Sequence, residues 1–116
     1  MQDTGHSFSA YFKRATSPLV VLSLLRERPM YGYEISAEMK ERSKGQYTIA
    51  VLYPVLYRLK EQGYIEESGT KISDGRARSY YKITLSGIKY LEETCAEYKA
   101  ISESFETLLG GNSNER

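Results

Sequence analysis

After Thr84 the chain reads LSGIKYLEETCAEYKAISESFETLL, residues 85–109, with Leu85, Ile88, Leu91, Cys95, Tyr98, Ile101, Phe105 and Leu108 recurring at steps of three and four. That spacing predicts one long amphipathic helix, and Thr84 is a suitable N-cap for it. At about 1.5 Å per residue such a helix reaches nearly 40 Å, longer than a domain of about 70 residues is wide. Its far end therefore needs apolar cover from outside the domain. A second copy of the chain is the simplest source, and the alternative is a helix that folds back over its own domain.

The rest of the chain has little room for other complications. With 116 residues, 41% hydrophobic and 27% charged, it suits one compact domain with a modest core. The run PLVVLSLL is too short to span a bilayer, and the N-terminus has no basic start followed by an apolar stretch, so a soluble cytoplasmic protein without membrane contact is expected. One cysteine, Cys95, permits no intrachain disulfide, and one histidine, His6, leaves no metal-site spacing. No cofactor and no catalytic activity are expected, because no acid–base pair in a shared pocket can be picked out. Charge is unevenly spread. Before Thr84, 13 Lys and Arg face 9 Asp and Glu, and from there on 3 face 6. The N-terminal part is thus the candidate anion binder, although most surface charge only keeps a domain soluble.

Three helices are expected before residue 64. Ser17 can cap a helix beginning at Pro18 and ended by Pro29, apolar nearly all round and hence central, with FSAYFKRAT before it as a separate short amphipathic segment. In MYGYEISAEMKERSKG, Tyr31, Ile35 and Met39 recur at four-residue spacing and Gly45 closes a second helix. Thr48 can cap a third that runs to Gly63. The strand-like YIEES, a turn-rich loop GTKISDGRA and the strand-like RSYYKIT follow, giving two strands and one hairpin.

At about 100° per residue, the third helix gathers Ile49, Leu52, Val55, Leu56 and Leu59 on its core side. Ala50, Pro54, Tyr57, Arg58 and Glu61 fall opposite, with Val51 and Tyr53 at the margins. Proline thus points outward, where water or a ligand can satisfy the carbonyl it leaves unpaired. A slim face of Ala50, Val51 and Pro54, flanked by tyrosines and Arg58, fits a groove about 12 Å wide, the DNA major groove. Helix, helix, turn, exposed third helix and hairpin is the order of a winged helix-turn-helix domain. Its wing carries Lys71, Arg76 and Arg78, residue types that neutralise phosphates. Tyr53 and Tyr57 suit contact with DNA and packing against the neighbouring helix or wing equally well. SDGRARS lacks the glycine-rich run into a helix that a phosphate loop needs.

LYPVLYRLKEQGYIE, YGYEI and GRARSYYKIT together resemble the PadR family of bacterial transcriptional regulators, over about Ser17 to Gly87. In that family a leucine-tyrosine-proline segment opens the recognition helix, a glycine-tyrosine-glutamate segment opens the preceding helix, and a basic wing ends in paired tyrosines. Here these are Leu52-Tyr53-Pro54, Gly32-Tyr33-Glu34 and Arg76 to Tyr81. Where the family usually has a glycine and a small hydroxyl residue before the leucine, this chain has Ala50 and Val51, whose methyl groups suit thymine methyls.

The expected fold is mainly α with a small β-hairpin: a winged helix-turn-helix domain with its N-terminal helix over 1–83, a dimerisation helix over 84–109 and a disordered tail over 110–116. The expected function is a homodimeric regulator of double-stranded DNA, a repressor by the resemblance; a winged-helix module that binds another protein is the alternative. The DNA-facing set is Tyr33, Lys44, Thr48, Ala50, Val51, Tyr53, Pro54, Tyr57, Arg58, Lys71, Arg76 and Arg78. The subunit seam is assigned to Phe8, Tyr11, Phe12, Tyr90, Leu91, Cys95, Tyr98, Ile101, Phe105 and Leu108, with Cys95 expected to be buried there as a small hydrophobe. A flat aromatic effector is a candidate occupant of that seam, although the same residues also make an ordinary packed dimer core, and the chain has no tryptophan.

Overall fold

A computed structural model of the chain describes residues 6–48 and 52–110. The expected helical positions of Ile49, Ala50 and Val51, and the expected disorder of residues 111–116, lie outside the described residues.

The first helix, α1, runs Phe8–Glu27 without a break, so the two N-terminal segments expected from the sequence are one. Ser7 caps it by accepting from the Ala10 N–H at 3.1 Å. Pro18 lies inside and cannot donate to the ladder. In the turn before it the hydroxyls of Thr16 and Ser17 donate to the carbonyls of Phe12 and Lys13 at 2.7 and 2.6 Å. Ser17 therefore bonds back along the helix and does not cap one. The second half buries Val21, Leu22, Leu24 and Leu25. The helix stops at Arg28, held in the extended conformation that a following proline, Pro29, favours.

Met30–Tyr31 form a short strand, β1, where a helical turn was expected, and α2 then spans Gly32–Arg42. Glu34 accepts the Tyr31 backbone N–H at 3.2 Å and so holds the strand-to-helix corner. Beyond α2, Lys44 and Gly45 both have positive φ, and the Gly45 N–H closes on the Lys40 carbonyl at 2.8 Å. Helix α3 covers Leu52–Glu61 and buries Leu52, Val55, Leu56 and Leu59, the core side read from its periodicity. Tyr53, Pro54, Tyr57 and Arg58 are exposed. Pro54 lies within this span and cannot donate to the helix ladder.

Strand β2, Ile65–Ser73, is longer than expected, and the loop before β3, Arg76–Ile83, shrinks to Asp74 and Gly75. Both have positive φ, the conformation of a type I′ hairpin turn. The glycine-rich stretch read as loop continues the strand through an irregularity between Glu67 and Gly69, where Gly69 has φ +130°. The sheet has three strands in the order β1-β3-β2, all antiparallel, with Met30 opposite Tyr81 and Tyr31 opposite Tyr80.

Helix α4, Leu85–Leu108, is capped by Thr84 as expected, with the threonine hydroxyl accepting from the Gly87 N–H at 3.0 Å. That hydroxyl also donates to the Gly63 carbonyl at 2.7 Å, tying α4 to the end of α3. In α4 only Gly87 and Leu91 are buried. One core joins α1, α2, α3, Met30, Ile65 and Leu91. No described helix is long and apolar enough to cross a membrane.

Candidate nucleic-acid interface

The first turn of α3, the start of α2 and strand β3 meet in a cleft of about 310 Å³, lined by Tyr31, Gly32, Tyr53, Arg76, Ala77, Arg78, Ser79 and Tyr81. Gly32 makes the meeting close. A Cβ there would lie 2.5 Å from the Tyr53 hydroxyl, so glycine lets the ring lie over the beginning of α2. Tyr53 remains 64% exposed, as does Tyr57 one turn on.

Two of the wing's cations lie over aromatic rings. The Arg78 guanidinium lies 4.8 Å from the centre of the Tyr31 ring, and the Lys71 ammonium 5.1 Å from that of Tyr80. Tyr80 meets Tyr31 edge to face at 5.2 Å, and the Tyr33 ring stacks with Tyr31 at 6.5 Å. Rings orient these long side chains without cancelling their charge, which a carboxylate would do. Among the described residues no ion pair involves Lys71, Arg76, Arg78 or Arg58, and Arg78 Nε is buried without a hydrogen-bond partner. At the base of the hairpin the pattern reverses: Lys60 pairs with Glu67 at 2.9 Å and Lys82 with Glu66 at 3.4 Å. The hydrogen bond that Lys60 donates to Glu67 raises the Lys60 pKa, and desolvation raises those of Tyr80 and Tyr81, so both phenols keep their proton near neutral pH.

The expected DNA-facing residues do not form one patch, and Lys71 lies over the Tyr80 ring. Tyr53, Arg76 and Arg78 share the cleft. Tyr33 and Lys44 line a separate groove along α2 with Ser36, Ala37, Lys40, Glu41 and Gly45. Thr48 is exposed on the approach to α3, Pro54, Tyr57 and Arg58 are exposed on α3 itself, and Ala50 and Val51 lie outside the described residues. Sequence reasoning did not assign Tyr31 to the site, because helical spacing with Ile35 and Met39 accounted for it. Tyr81 and Ser79 were passed over too, although both lie within the Arg76 to Tyr81 stretch.

The expected seam residues also divide. Phe8, Tyr11, Tyr98, Ile101, Phe105 and Leu108 are exposed, and the Phe12 ring meets Tyr98 edge-on at 6.4 Å. Leu91, by contrast, packs in the domain's own core, and Tyr90 stacks on Tyr64 at 4.3 Å. These two face inward because they sit on the first two turns of α4, which lie against the domain. Cys95, expected to be buried, is exposed in the single chain and lines a groove of about 740 Å³ between α1 and α4.

An exposed third helix beside a cation-bearing hairpin defines a winged helix-turn-helix protein. Residues 21–93 match the model of the transcriptional regulator PadR-like family, and the chain belongs to that family. It is 31% identical over 105 residues to the transcriptional regulator Rv3488 of Mycobacterium tuberculosis, covering 89% of this chain and 92% of that one. Among solved structures, a transcriptional regulator from Clostridium thermocellum is 32% identical with a TM-score of 0.76, covering 84% of this chain and 96% of its own. A PadR family transcriptional regulator from Eggerthella lenta is 30% identical, also with a TM-score of 0.76, covering 85% and 86%.

Proposed function

We propose that this transcriptional regulator binds duplex DNA as a homodimer, with α3 of each subunit in the major groove and the β2–β3 hairpin on the phosphate backbone, and that it acts as a repressor. The observation that carries this reading is the cleft, where Tyr53 of α3 stands beside Arg76 and Arg78, wing cations that no carboxylate among the described residues neutralises. Arginine there supplies sequence-independent attraction, and the outward face of α3 supplies base contacts. The exposed apolar residues of α1 and α4 supply the second contact surface, and a twofold dimer presents two reading helices to two half-sites. A flat aromatic compound bound in the seam lowers operator affinity if it prefers one spacing of the two α3 helices.

The test is to enrich duplexes from a random-sequence pool with the purified protein and titrate the enriched duplex across a range of salt concentrations. One palindromic sequence and a steep fall of affinity with salt are expected. A weak salt response with no enriched sequence would favour a protein-binding module instead. Planar aromatic compounds titrated against tyrosine fluorescence and DNA retention test the effector: binding without change in DNA affinity removes regulation by ligand.

A further inference from the structure

The turn that carries the chain from α2 towards α3 is tied to α1 by hydroxyl groups. Tyr47 and Thr16 share a hydrogen bond of 2.6 Å, and the Thr16 hydroxyl donates to the Phe12 carbonyl at 2.7 Å. A hydroxyl has a single proton, so the Thr16 oxygen must accept from Tyr47. The order is Tyr47 O–H to Thr16, then Thr16 O–H to Phe12. Tyr47 also donates its backbone N–H to Ser43 Oγ at 2.8 Å, and its ring packs against the core. The residue is therefore fixed by hydroxyl, backbone and ring, five positions before Leu52 of α3. Thr16 in turn lines the groove between α1 and α4, one helical turn after Phe12, whose ring meets Tyr98.

We infer that Thr16 and Tyr47 are positioning residues for DNA recognition, their hydroxyl pair setting where the α2–α3 turn leaves α1 and hence how α3 meets base edges. The inference rests on α3 being the DNA reader. Neither residue belongs to the cleft, and their effect passes through the placement of α3. Base-edge hydrogen bonds tolerate only a few tenths of an ångström, whereas long arginine side chains follow a phosphate through small shifts. Loosening the turn therefore degrades discrimination between sequences and spares general affinity.

The test uses two probes, the duplex enriched by the wild-type protein and a scrambled duplex of the same composition. Thr16→Val and Tyr47→Phe each remove one hydroxyl with little change of shape, and Thr16→Ser keeps the hydroxyl. Each hydroxyl-free variant is expected to lower the ratio of the two affinities by about three- to tenfold. The double variant should lose no more than either single one, and Thr16→Ser should restore the ratio. Affinity for the scrambled duplex and its salt slope should stay at wild-type values in all of them, with thermal unfolding followed in parallel to confirm the fold. Should one single variant fail to fold, the other carries the comparison. An unchanged ratio in Thr16→Val and Tyr47→Phe overturns the inference, and so does an equal loss on both duplexes, which marks the hydroxyls as structural only. A wild-type protein that enriches no sequence instead removes the DNA-reading function, and this inference with it.

Discussion

Arg76 and Arg78 differ in how they are held. Arg78 lies on the Tyr31 ring with its Nε buried, whereas Arg76 is exposed at the start of β3, beside the hairpin turn. If both meet phosphates, Arg76→Ala and Arg78→Ala should each weaken binding to every duplex and reduce the slope of log affinity against log salt by about one. Filter binding over a salt series checks this, and an unchanged slope in both variants places the wing off the backbone. Arg78→Lys keeps the charge but replaces the guanidinium that lies over the Tyr31 ring, so its affinity should fall between wild type and alanine. A second residue-level prediction concerns Glu27, which accepts from Arg42 at 2.7 Å and so links the ends of α1 and α2. Its hydrogen bond with Arg42 holds the Glu27 carboxyl below its ordinary range. A lowered folded-state pKa contributes stability above the unfolded value and loses it as pH falls through the folded one. Melting temperatures measured from about pH 6 down to about pH 3 should therefore fall less steeply in Glu27→Gln than in wild type. Parallel curves would remove the bridge from the acid response.

Among the elements, α2 and α3 are set by the contact at Gly32. Tyr53→Ala should cost about 1–3 kcal/mol in operator binding if the ring touches DNA. Gly32→Ala places a methyl against the Tyr53 hydroxyl, and the ring must swing away from the cleft. It should reproduce part of that loss, and in the double variant the two effects should not add. Additive losses in isothermal titration would separate Gly32 from Tyr53. The same elements display what sequence patterns resolve. The 3.6-residue period of α3 sorted buried Leu52, Val55, Leu56 and Leu59 from exposed Tyr53, Pro54, Tyr57 and Arg58. Strand β1 was hidden because two residues carry no period, and only pairing with Tyr80 and Tyr81 makes Met30 and Tyr31 a strand. The continuity of α1 was hidden by Pro18, whose usual place at a helix start is overridden by the burial of Val21, Leu22, Leu24 and Leu25 in the half that follows.

The molecule measures 60 × 38 × 23 Å, and the long dimension suits a helix that outruns its domain. After Leu91 no residue of α4 is buried, yet Tyr98, Ile101, Phe105 and Leu108 continue the apolar spacing. Ile101→Asp and Phe105→Asp change side chains that are 61% and 54% exposed in the single chain, so the winged domain should keep its fold and melting behaviour. In a dimer they place charges in an apolar seam, and sedimentation should show monomers at concentrations where the wild type is paired. Operator affinity should fall with the loss of the second reading helix, while affinity for random duplex changes less. Variants that remain paired would put the subunit contact elsewhere.

The sequence by itself determined the helices that bury one face, the cap at Thr84, the glycine stop at Gly45 and the basic hairpin, because each is written in local spacing or in a single residue's backbone preference. It also singled out Tyr53, Arg76 and Arg78 as candidates for the site, through motif and charge. Only the tertiary structure decided that these three share one cleft, that Tyr31 holds Arg78, and that Tyr90 and Leu91 serve the domain while Tyr98 and Phe105 lie open. Periodicity assigns a residue to a face of its own helix, but which part of that face is covered depends on where neighbouring elements end, and no local pattern records that.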